Sequence, residues 1–205
     1  MDELIVSREK QDLFLKRLRE RTGESHQELE ENPLSKAILS PSVTVIEYQT
    51  YIAKLYGFTK ACERDIFPQL ASVLPDLEER KKSEFIERDL FITGVSKEKI
   101  EKLPIYQFNT SGLSEALGIM YVLEGSTLGG KIIYKHISQT LDKDAETGAS
   151  YFWGYGQKTG ILWKTFISAL ASYAVEENSE EEIISSAVHT FSTIDQWLNK
   201  AEINL

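Results

Sequence analysis

Residues 118–134 read Gly-Ile-Met-Tyr-Val-Leu-Glu-Gly-Ser-Thr-Leu-Gly-Gly-Lys-Ile-Ile-Tyr, and this segment stays apolar and periodic through four glycines. The period predicts a single helix. Each interior glycine disfavours a helix by about 1 kcal/mol relative to alanine, so the bare backbone must serve a purpose. Gly118, Gly125 and Gly129 are seven and four residues apart, which places them on one face. Two uses of that face are equally consistent with the spacing: a close crossing with another helix, or contact with a flat or bulky ligand.

The composition indicates an acidic protein with enough apolar residues for a core. The chain has 205 residues, 41% of them hydrophobic, and a net charge of −9, which suits one domain over residues 1–205. This charge argues against nucleic acid as the main partner, because phosphate binding needs a basic face. Cys62 is the one cysteine, which excludes a disulfide framework and fits a reducing cytoplasm. We find no signal peptide and no bilayer-spanning segment, so we expect a cytoplasmic protein without a membrane partner.

Amphipathic periodicity in the rest of the chain predicts an all-α, single-domain helical bundle. The predicted helices are Ser7 to about Asn32, Pro41-Ser42 to Phe67-Pro68, Asp76 to about Thr93, Thr110 or Ser111 to about Gln139, Ile161 to Val175, and Glu181 to about Leu198. The aromatic segment Tyr151–Gly156 is expected to form a tight loop with its rings packed inward. The basic run Arg80-Lys81-Lys82 is expected to be surface charge.

The first predicted helix carries a histidine on its inward stripe. His26 lies between Thr22 and Leu29 in the apolar pattern, and Arg19 lies two turns earlier on the same side. A lone histidine in such a place is more often a hydrogen-bonded core residue than a ligand, so both roles stay open. Cys62 lies on a buried stripe and is predicted to be a core residue with a raised thiol pKa and low reactivity.

Several kinds of chemistry are excluded by missing motifs. A di-iron bundle needs Glu-x-x-His on two helices, and a serine elbow or a phosphate-binding loop has its own signature; none of these patterns occurs. The residues three positions before the three histidines are Gly23, Ile133 and Ser186. What remains is one inward histidine and one glycine-lined helix face, and together these fit a planar ligand such as haem.

Two segments resemble the haem oxygenase family. Thr22–Glu30 resembles the proximal helix that supplies the axial histidine, and Leu123–Gly130 resembles the kinked distal helix. Trp163–Phe166, Ala187–Phe191 and Trp197-Leu198 also match, so the resemblance covers nearly the entire chain. It is closest to the bacterial branch associated with bacteriophytochromes.

The resemblance implies a haem-oxygenase-like bundle with a glycine-kinked distal helix. His26 would ligate the haem iron. Thr22, which belongs to the same motif, would contribute to haem binding. Arg19 and Lys164 would contact the propionates, although ordinary solvated charges are as consistent with both. The distal side would be formed by Gly125, Ser126, Gly129 and Gly130.

The implied activity is the cleavage of haem, which is substrate and cofactor together, to biliverdin, CO and Fe²⁺. It needs O₂ and an external electron donor, a reductase, ferredoxin or flavodoxin. A basic patch that includes Lys16 and Arg17 is a candidate docking site for an acidic donor.

One position departs from the family pattern. Many haem oxygenases have an aspartate directly after the first distal glycine, where it orders water for proton delivery, and this chain has Ser126. Either Ser126, helped by water or by Glu124, supports turnover, or the protein binds or sequesters haem with little oxygenase activity. A helical interaction domain without a cofactor is a third interpretation, and it leaves the glycine face unexplained.

Overall fold

The structure, a computed structural model, describes residues 2–200 and 203–205, with side-chain surroundings from Ser7 onward. Within these residues the chain is helical and has no β-strand, which confirms the predicted all-α class. The α-helices are α1 (Asp2–Glu31), α2 (Pro33–Ala37), α3 (Val45–Ala61), α4 (Phe67–Leu70), α5 (Ser83–Ile92), α6 (Lys97–Ile100), α7 (Leu113–Leu141), α8 (Ser150–Trp153), α9 (Thr159–Glu176) and α10 (Glu180–Lys200). A π-helical turn at Cys62–Ile66 joins α3 to α4, and 3₁₀ turns occur at Leu77–Arg80 and Gly156–Lys158.

The four long helices α1, α7, α9 and α10 form the frame of a single domain. Both α9 and α10 pack against α1 and against α7, whereas α1 and α7 make little direct contact with each other. Phe14 and Leu18 of α1 and Ile183 and Ile184 of α10 are fully buried in the shared core. Each such side chain contributes about 1.5–3 kcal/mol when it is removed from water. No helix of the described residues is both long enough and apolar enough to span a membrane.

The glycine-bearing helix α7 is about as long as the sequence predicts but begins and ends about two residues later, and it has no side-chain cap. Gly112, in an extended conformation with φ 169°, precedes the first helical residue, so the predicted cap at Thr110 or Ser111 is wrong. The Ser111 amide instead donates a hydrogen bond to Glu115 Oε2 over 2.8 Å, in the first turn. The helix continues without interruption through all four glycines to Leu141. The helix is therefore not broken at the glycines. The predicted kink, a bend of the helix axis at this place, stays a prediction.

The basic run before α5 is largely buried, contrary to the prediction from sequence. Arg80 and Lys82 are 1% and 5% exposed, and only Lys81 lies on the surface, where it pairs with Glu78. Lys81 is extended, with ψ 133°, so the chain leaves the 3₁₀ turn there and α5 begins only after Lys82. The predicted continuous helix from Asp76 is therefore wrong, because two buried cations hold this segment in a shape that a helix cannot take.

The aromatic segment begins as the short helix α8 rather than as a loop. The buried Asp89 carboxylate accepts hydrogen bonds from the backbone amides of Ser150, at 2.9 Å, and Tyr151, at 2.8 Å, and so anchors this helix on α5. Phe152 is buried as expected, but Trp153 is 46% exposed. The prediction that all the rings pack inward is therefore only partly right.

Candidate functional site

The glycine-bearing face of α7 is packed at its beginning and open further along. A methyl group added to Gly118 would lie 2.6 Å from both the Ile183 carbonyl oxygen and Ser186 Cβ, so α7 and α10 cross there with no room for a side chain. A methyl group on Gly125 would meet the Trp163 ring at 3.6 Å, an ordinary contact distance.

Gly129 lies further along the same face and has open space in front of it. A methyl group added there would meet no atom within 4 Å. The apolar side chains of Leu128 and Ile132, which flank it on the helix, are 43% and 68% exposed. We call Leu128, Gly129 and Ile132 the open stretch of α7. Exposed apolar surface around bare backbone is typical of a place where something else binds.

Two contacts bound the open stretch along the helix. On one side Trp163 of α9 covers Gly125. On the other side His136, seven residues after Gly129, has its Nε2 atom 2.9 Å from the Ser40 carbonyl oxygen. Ser40 follows α1 and α2 in the chain, so this contact ties the glycine face of α7 to the side of the molecule where α1 ends. The open stretch therefore lies between a contact with α9 and a contact with the segment that follows α2.

His26 of α1 is exposed, and its ring packs against α10. Its side chain is 56% exposed, its ring centroid lies 5.3 Å from that of Phe191 at an angle of 70°, and Nε2 is 3.7 Å from Glu30 Oε1. Thr22 and Ser25 are the buried residues of this part of α1. The prediction that His26 lies on the inward stripe is wrong, because the residue after Ser25 is turned by about 100° onto the flank of the helix. His26 is therefore not a core histidine.

The other three predicted haem contacts differ in whether their polar groups are available to bind a ligand. Thr22 is buried and donates its hydroxyl proton to the Leu18 carbonyl over 2.8 Å, so its hydroxyl is committed to its own helix. Arg19 lies two turns before His26 and is exposed, as is Lys164 of α9. No acidic side chain pairs with Arg19 or Lys164 in the part of the chain that the structure describes, so both remain available to an anion.

Ser126 and Gly130 lie off the open face. The Ser126 hydroxyl is exposed at the edge of this face and donates to the Leu123 carbonyl over 2.7 Å. Gly130 is buried against α8, where an added methyl group would lie 3.5 Å from the Phe152 carbonyl oxygen. Gly130 therefore packs against protein, contrary to the expectation that it contacts a ligand together with Gly129.

A buried ionic network, which sequence reasoning did not anticipate, lies directly beneath the glycine face. Glu124 is 1% exposed; its Oε2 atom accepts from Arg80 Nη1, and its Oε1 atom accepts from the Tyr155 hydroxyl. Asp76 binds the other edge of the Arg80 guanidinium in two hydrogen bonds of 2.8 Å. Lys82 Nζ lies 3.9 Å from Glu124 Oε1 and over the Tyr155 ring. The sequence does show a lone acid, Glu124, in the apolar run 118–125 and a basic run at residues 80–82. Neither pattern by itself indicates that the acid and the basic residues pair with each other.

Burial and neighbouring groups shift the pKa values of three members of the network, raising those of Arg80 and Tyr155 and lowering that of Lys82. Burial alone would lower the pKa of Arg80, but the hydrogen bonds that Arg80 donates to Asp76 and the charge of Glu124 raise it above its ordinary value. Burial, followed by the charge of Glu124, raises the pKa of Tyr155, so the phenol stays protonated and donates. Burial lowers the pKa of Lys82. Glu124 therefore acts as an acceptor for Arg80 and Tyr155, which is different from the proton-delivering role considered for it from sequence.

The suggested electron-donor patch and the two surface clefts lie apart from the open stretch. Lys16 pairs with Glu20, and Arg17 pairs with Glu180 and Glu181 of α10, so both charges are already compensated. A cleft of about 390 Å³ lies between α10, the start of α7 and residues 106–110, and one of about 350 Å³ lies beside Trp153 and Tyr155. Neither cleft is lined by His26 or by the open stretch.

The candidate site therefore consists of two surfaces that α9 and α10 hold apart. One surface presents the exposed His26 ring braced by Phe191. The other presents bare backbone at Gly129 between Leu128 and Ile132. An exposed imidazole and an apolar surface without side chains are the two features that a flat, apolar group with a metal that takes a nitrogen ligand requires.

Comparison with known proteins points to the same ligand. The family model described as heme oxygenase matches residues 12–200. The heme oxygenase PigA of Pseudomonas aeruginosa is 29% identical in an alignment of length 205, which covers 98% of this chain and 98% of that protein. A heme oxygenase from Neisseria meningitidis, solved with NO and CO bound, has a TM-score of 0.71 and 25% identity, with 91% of this chain and 90% of that chain covered.

Two further solved structures, both less than 25% identical, show the fold alone. Heme oxygenase-1 from the cyanobacterium Synechocystis, in complex with heme, has a TM-score of 0.73 and 20% identity, with 91% of each chain covered. Heme oxygenase from Leptospira interrogans has a TM-score of 0.75 and 16% identity, with 91% and 98% covered. Because the family model matches residues 12–200, most of the length, this chain belongs to the haem oxygenase family.

Proposed function

We propose that this chain binds haem between α1 and α7 and cleaves it to biliverdin, CO and Fe²⁺, using O₂ and electrons from an external donor. The observation that carries the proposal is the open space at Gly129, where the helix backbone has no side chain in front of it and exposed apolar residues on both sides. Haem, as substrate and cofactor together, supplies the oxygen chemistry. The protein binds it, orients it and limits the access of water.

His26 is the proposed axial ligand of the haem iron. Its ring is exposed and therefore available, and the edge contact with Phe191 restricts how far it can rotate. Glu30 Oε1, at 3.7 Å from Nε2, is the nearest carboxylate. When iron takes one ring nitrogen, a carboxylate near the ring can hold the other and so orient the imidazole.

On the α7 side, Gly129 lets the macrocycle approach the backbone, and Leu128 and Ile132 cover its apolar area. Ser126 stands at the edge of this surface with its hydroxyl proton on the Leu123 carbonyl, so its oxygen is left to accept a hydrogen bond from water. Water held in this way is the proposed source of protons for the reaction. Arg19 and Lys164, which are exposed and pair with no acid among the described residues, are the proposed propionate contacts.

A second candidate function is favoured by the position of Glu124. Its carboxylate is buried against Arg80 and Tyr155, so it does not reach the open face, and Ser126 carries no charge there. A distal face without a free acid suits a protein that binds haem and turns it over slowly.

Membership of the branch associated with bacteriophytochromes stays a prediction that rests on the Gly125-Ser126 pair and its neighbours.

Haem binding is tested by titrating haemin into the parent protein and two single variants while following the Soret band. H26A removes the proposed ligand. H189A removes another exposed histidine, on α10, and serves as the matched control. We expect a saturable one-to-one complex with the parent and with H189A, and loss of its spectrum with H26A. An unchanged spectrum in H26A would show that His26 is not the ligand.

Turnover is tested on the same complex by adding a reductant under air and identifying the products. Biliverdin with release of CO and iron supports the oxygenase. Persistence of bound, unmodified haem through repeated reduction would favour the sequestering function instead. The absence of any haem-induced spectrum in the parent would reject both functions.

A further inference from the structure

We propose that the buried Arg80–Glu124 pair is a positioning device that sets the spacing between Trp163 of α9 and Gly125 of α7, and thereby the shape of the haem-facing surface. Its consequence for haem rests on the function proposed above, but its effect on the two helices does not. The side chains of both residues are buried, and neither residue belongs to the open stretch. Arg80 and Glu124 act through the backbone next to Gly125 and next to Trp163, the two residues whose contact bounds the open stretch.

The guanidinium of Arg80 reaches both helices at once. Its Nη1 atom donates to Glu124 Oε2 of α7, and its Nη2 atom donates to the Leu162 carbonyl of α9 over 3.1 Å. Asp76 binds the guanidinium from the side of its own segment with two further bonds of 2.8 Å. Because a guanidinium is planar and its donors form a rigid fork, these acceptors cannot shift relative to one another without breaking a bond.

The two acceptors that Arg80 joins are the direct neighbours of the contact in question. Glu124 precedes Gly125, and Leu162 precedes Trp163. The Trp163 ring lies 3.6 Å from the position that a methyl group on Gly125 would occupy. A change in how Arg80 holds its two acceptors therefore moves the indole and the glycine backbone relative to each other, at the end of the open stretch.

Stability alone does not account well for the pair. A buried ion pair costs so much desolvation that apolar residues of similar volume are often equally stable or more so. Arg80 is nevertheless fully buried, and Tyr155 and Lys82 also lie against Glu124. Several buried polar groups are therefore held in one fixed geometry. Fixed geometry is what such a network supplies and an apolar cluster does not.

The proposal is first tested without haem, by hydrogen exchange. R80K and E124Q each weaken the fork, and R88Q removes an exposed arginine that pairs with Glu146 and serves as the control. We expect amides of residues 121–127 and of the first turns of α9 to exchange about tenfold faster in R80K and E124Q, without a matching change in α1. R88Q should match the parent. Equal acceleration throughout the chain would mean that the pair is only a stabilising element and would overturn the proposal.

The second test uses the haem complex and a probe other than activity, the infrared stretch of CO added to the reduced complex. R80K and E124Q should bind haem but shift or broaden the CO band, as should W163F, and the shift of W163F combined with E124Q should be smaller than the sum of the two. Additive shifts, or an unchanged band, would overturn the proposal. If R80K and E124Q do not fold, the double variant R80M/E124L removes both charges together and carries both tests.

The two proposals fail in different ways. A parent protein that binds no haem rejects the proposed function, while local exchange in R80K and E124Q still decides whether the pair positions the two helices. A parent that binds haem while its variants keep the same local exchange and the same CO band rejects only the positioning role.

Discussion

Gly118 and Gly129 lie on the same face of the same helix, and they are glycine for opposite reasons. At Gly118 the backbone of α10 fills the space, and an added methyl group would lie 2.6 Å from the Ile183 carbonyl oxygen. At Gly129 nothing of the protein lies within 4 Å of such a methyl group. Of the two uses that sequence spacing left open, helix crossing is present at Gly118, whereas Gly129, about three turns further along, is uncovered and is our proposed place of ligand contact.

The comparison teaches that one periodic pattern can carry two requirements. The first half of α7 needs bare backbone so that α10 can approach, and this half anchors the helix. The second half has bare backbone at Gly129 that no described residue covers, and this is where we propose that haem approaches. Gly125 lies between the two cases, because the Trp163 ring touches its position at ordinary contact distance.

The largest effect is expected from G118A. The methyl group meets backbone atoms of α10, which cannot move aside cheaply, so we expect a loss of about 1–3 kcal/mol in unfolding free energy. Urea denaturation of the haem-free protein measures it. G23A is the control, since Gly23 of α1 has no atom within 4 Å of the added methyl group and should gain up to about 1 kcal/mol. A G118A protein as stable as G23A would remove the packing half of the comparison.

The next largest effect is expected from G129L, and it should appear in binding rather than in stability. Leucine favours helix over glycine by up to about 1 kcal/mol, and the space is empty, so the haem-free protein should be no less stable than the parent. A side chain in the open stretch should weaken haem binding by about tenfold or more, which the Soret titration measures. E84L, which puts leucine at an exposed position of α5 outside the proposed site, is the control, with unchanged affinity. Undiminished affinity in G129L would show that haem does not contact this stretch.

A smaller effect is expected from S126A, and it should be confined to turnover. The hydroxyl bonds only the Leu123 carbonyl of its own helix and is exposed, so stability should change by less than about 0.5 kcal/mol. Haem affinity should be unchanged, while biliverdin formation should slow severalfold because the edge of the face loses its water-holding oxygen. S192A, a helix serine of α10 whose hydroxyl also bonds a preceding carbonyl, is the control. Normal turnover in S126A would assign proton delivery elsewhere.

The smallest effect is expected at Cys62, which reports on the packed part of the molecule. Its side chain is buried, and burial raises the pKa of the thiol. The folded thiol should therefore stay neutral and unlabelled by a thiol reagent at pH 8, and labelling should follow unfolding. Because the folded pKa lies above the unfolded value of about 8.5, the stability contributed by this group is complete below that pH and declines above it. Rapid labelling of the native protein would contradict this placement.

The sequence predicted the helical class and the long helices well, because their apolar periodicity is local information. It also identified the segments around His26 and Gly125. The errors are instructive: His26 was assigned to the buried stripe although it lies on the flank, and Arg80 and Lys82 were assigned to the surface although they are buried. His26 lies on the flank because successive helix residues are turned by about 100°, whereas Arg80 and Lys82 are buried because Glu124 of another helix lies beside them.

What the sequence alone determined is the set of helices, the run of four glycines and a histidine-bearing helix of matching family pattern, since these follow from spacing along the chain. The tertiary structure decided which glycine packs and which is left open, because the atoms in front of them belong to α9 and α10. It also decided that Glu124 lies against Arg80, 44 residues away, rather than at the open face. Burying a charge requires a partner of opposite sign, and only the assembled bundle brings the two together.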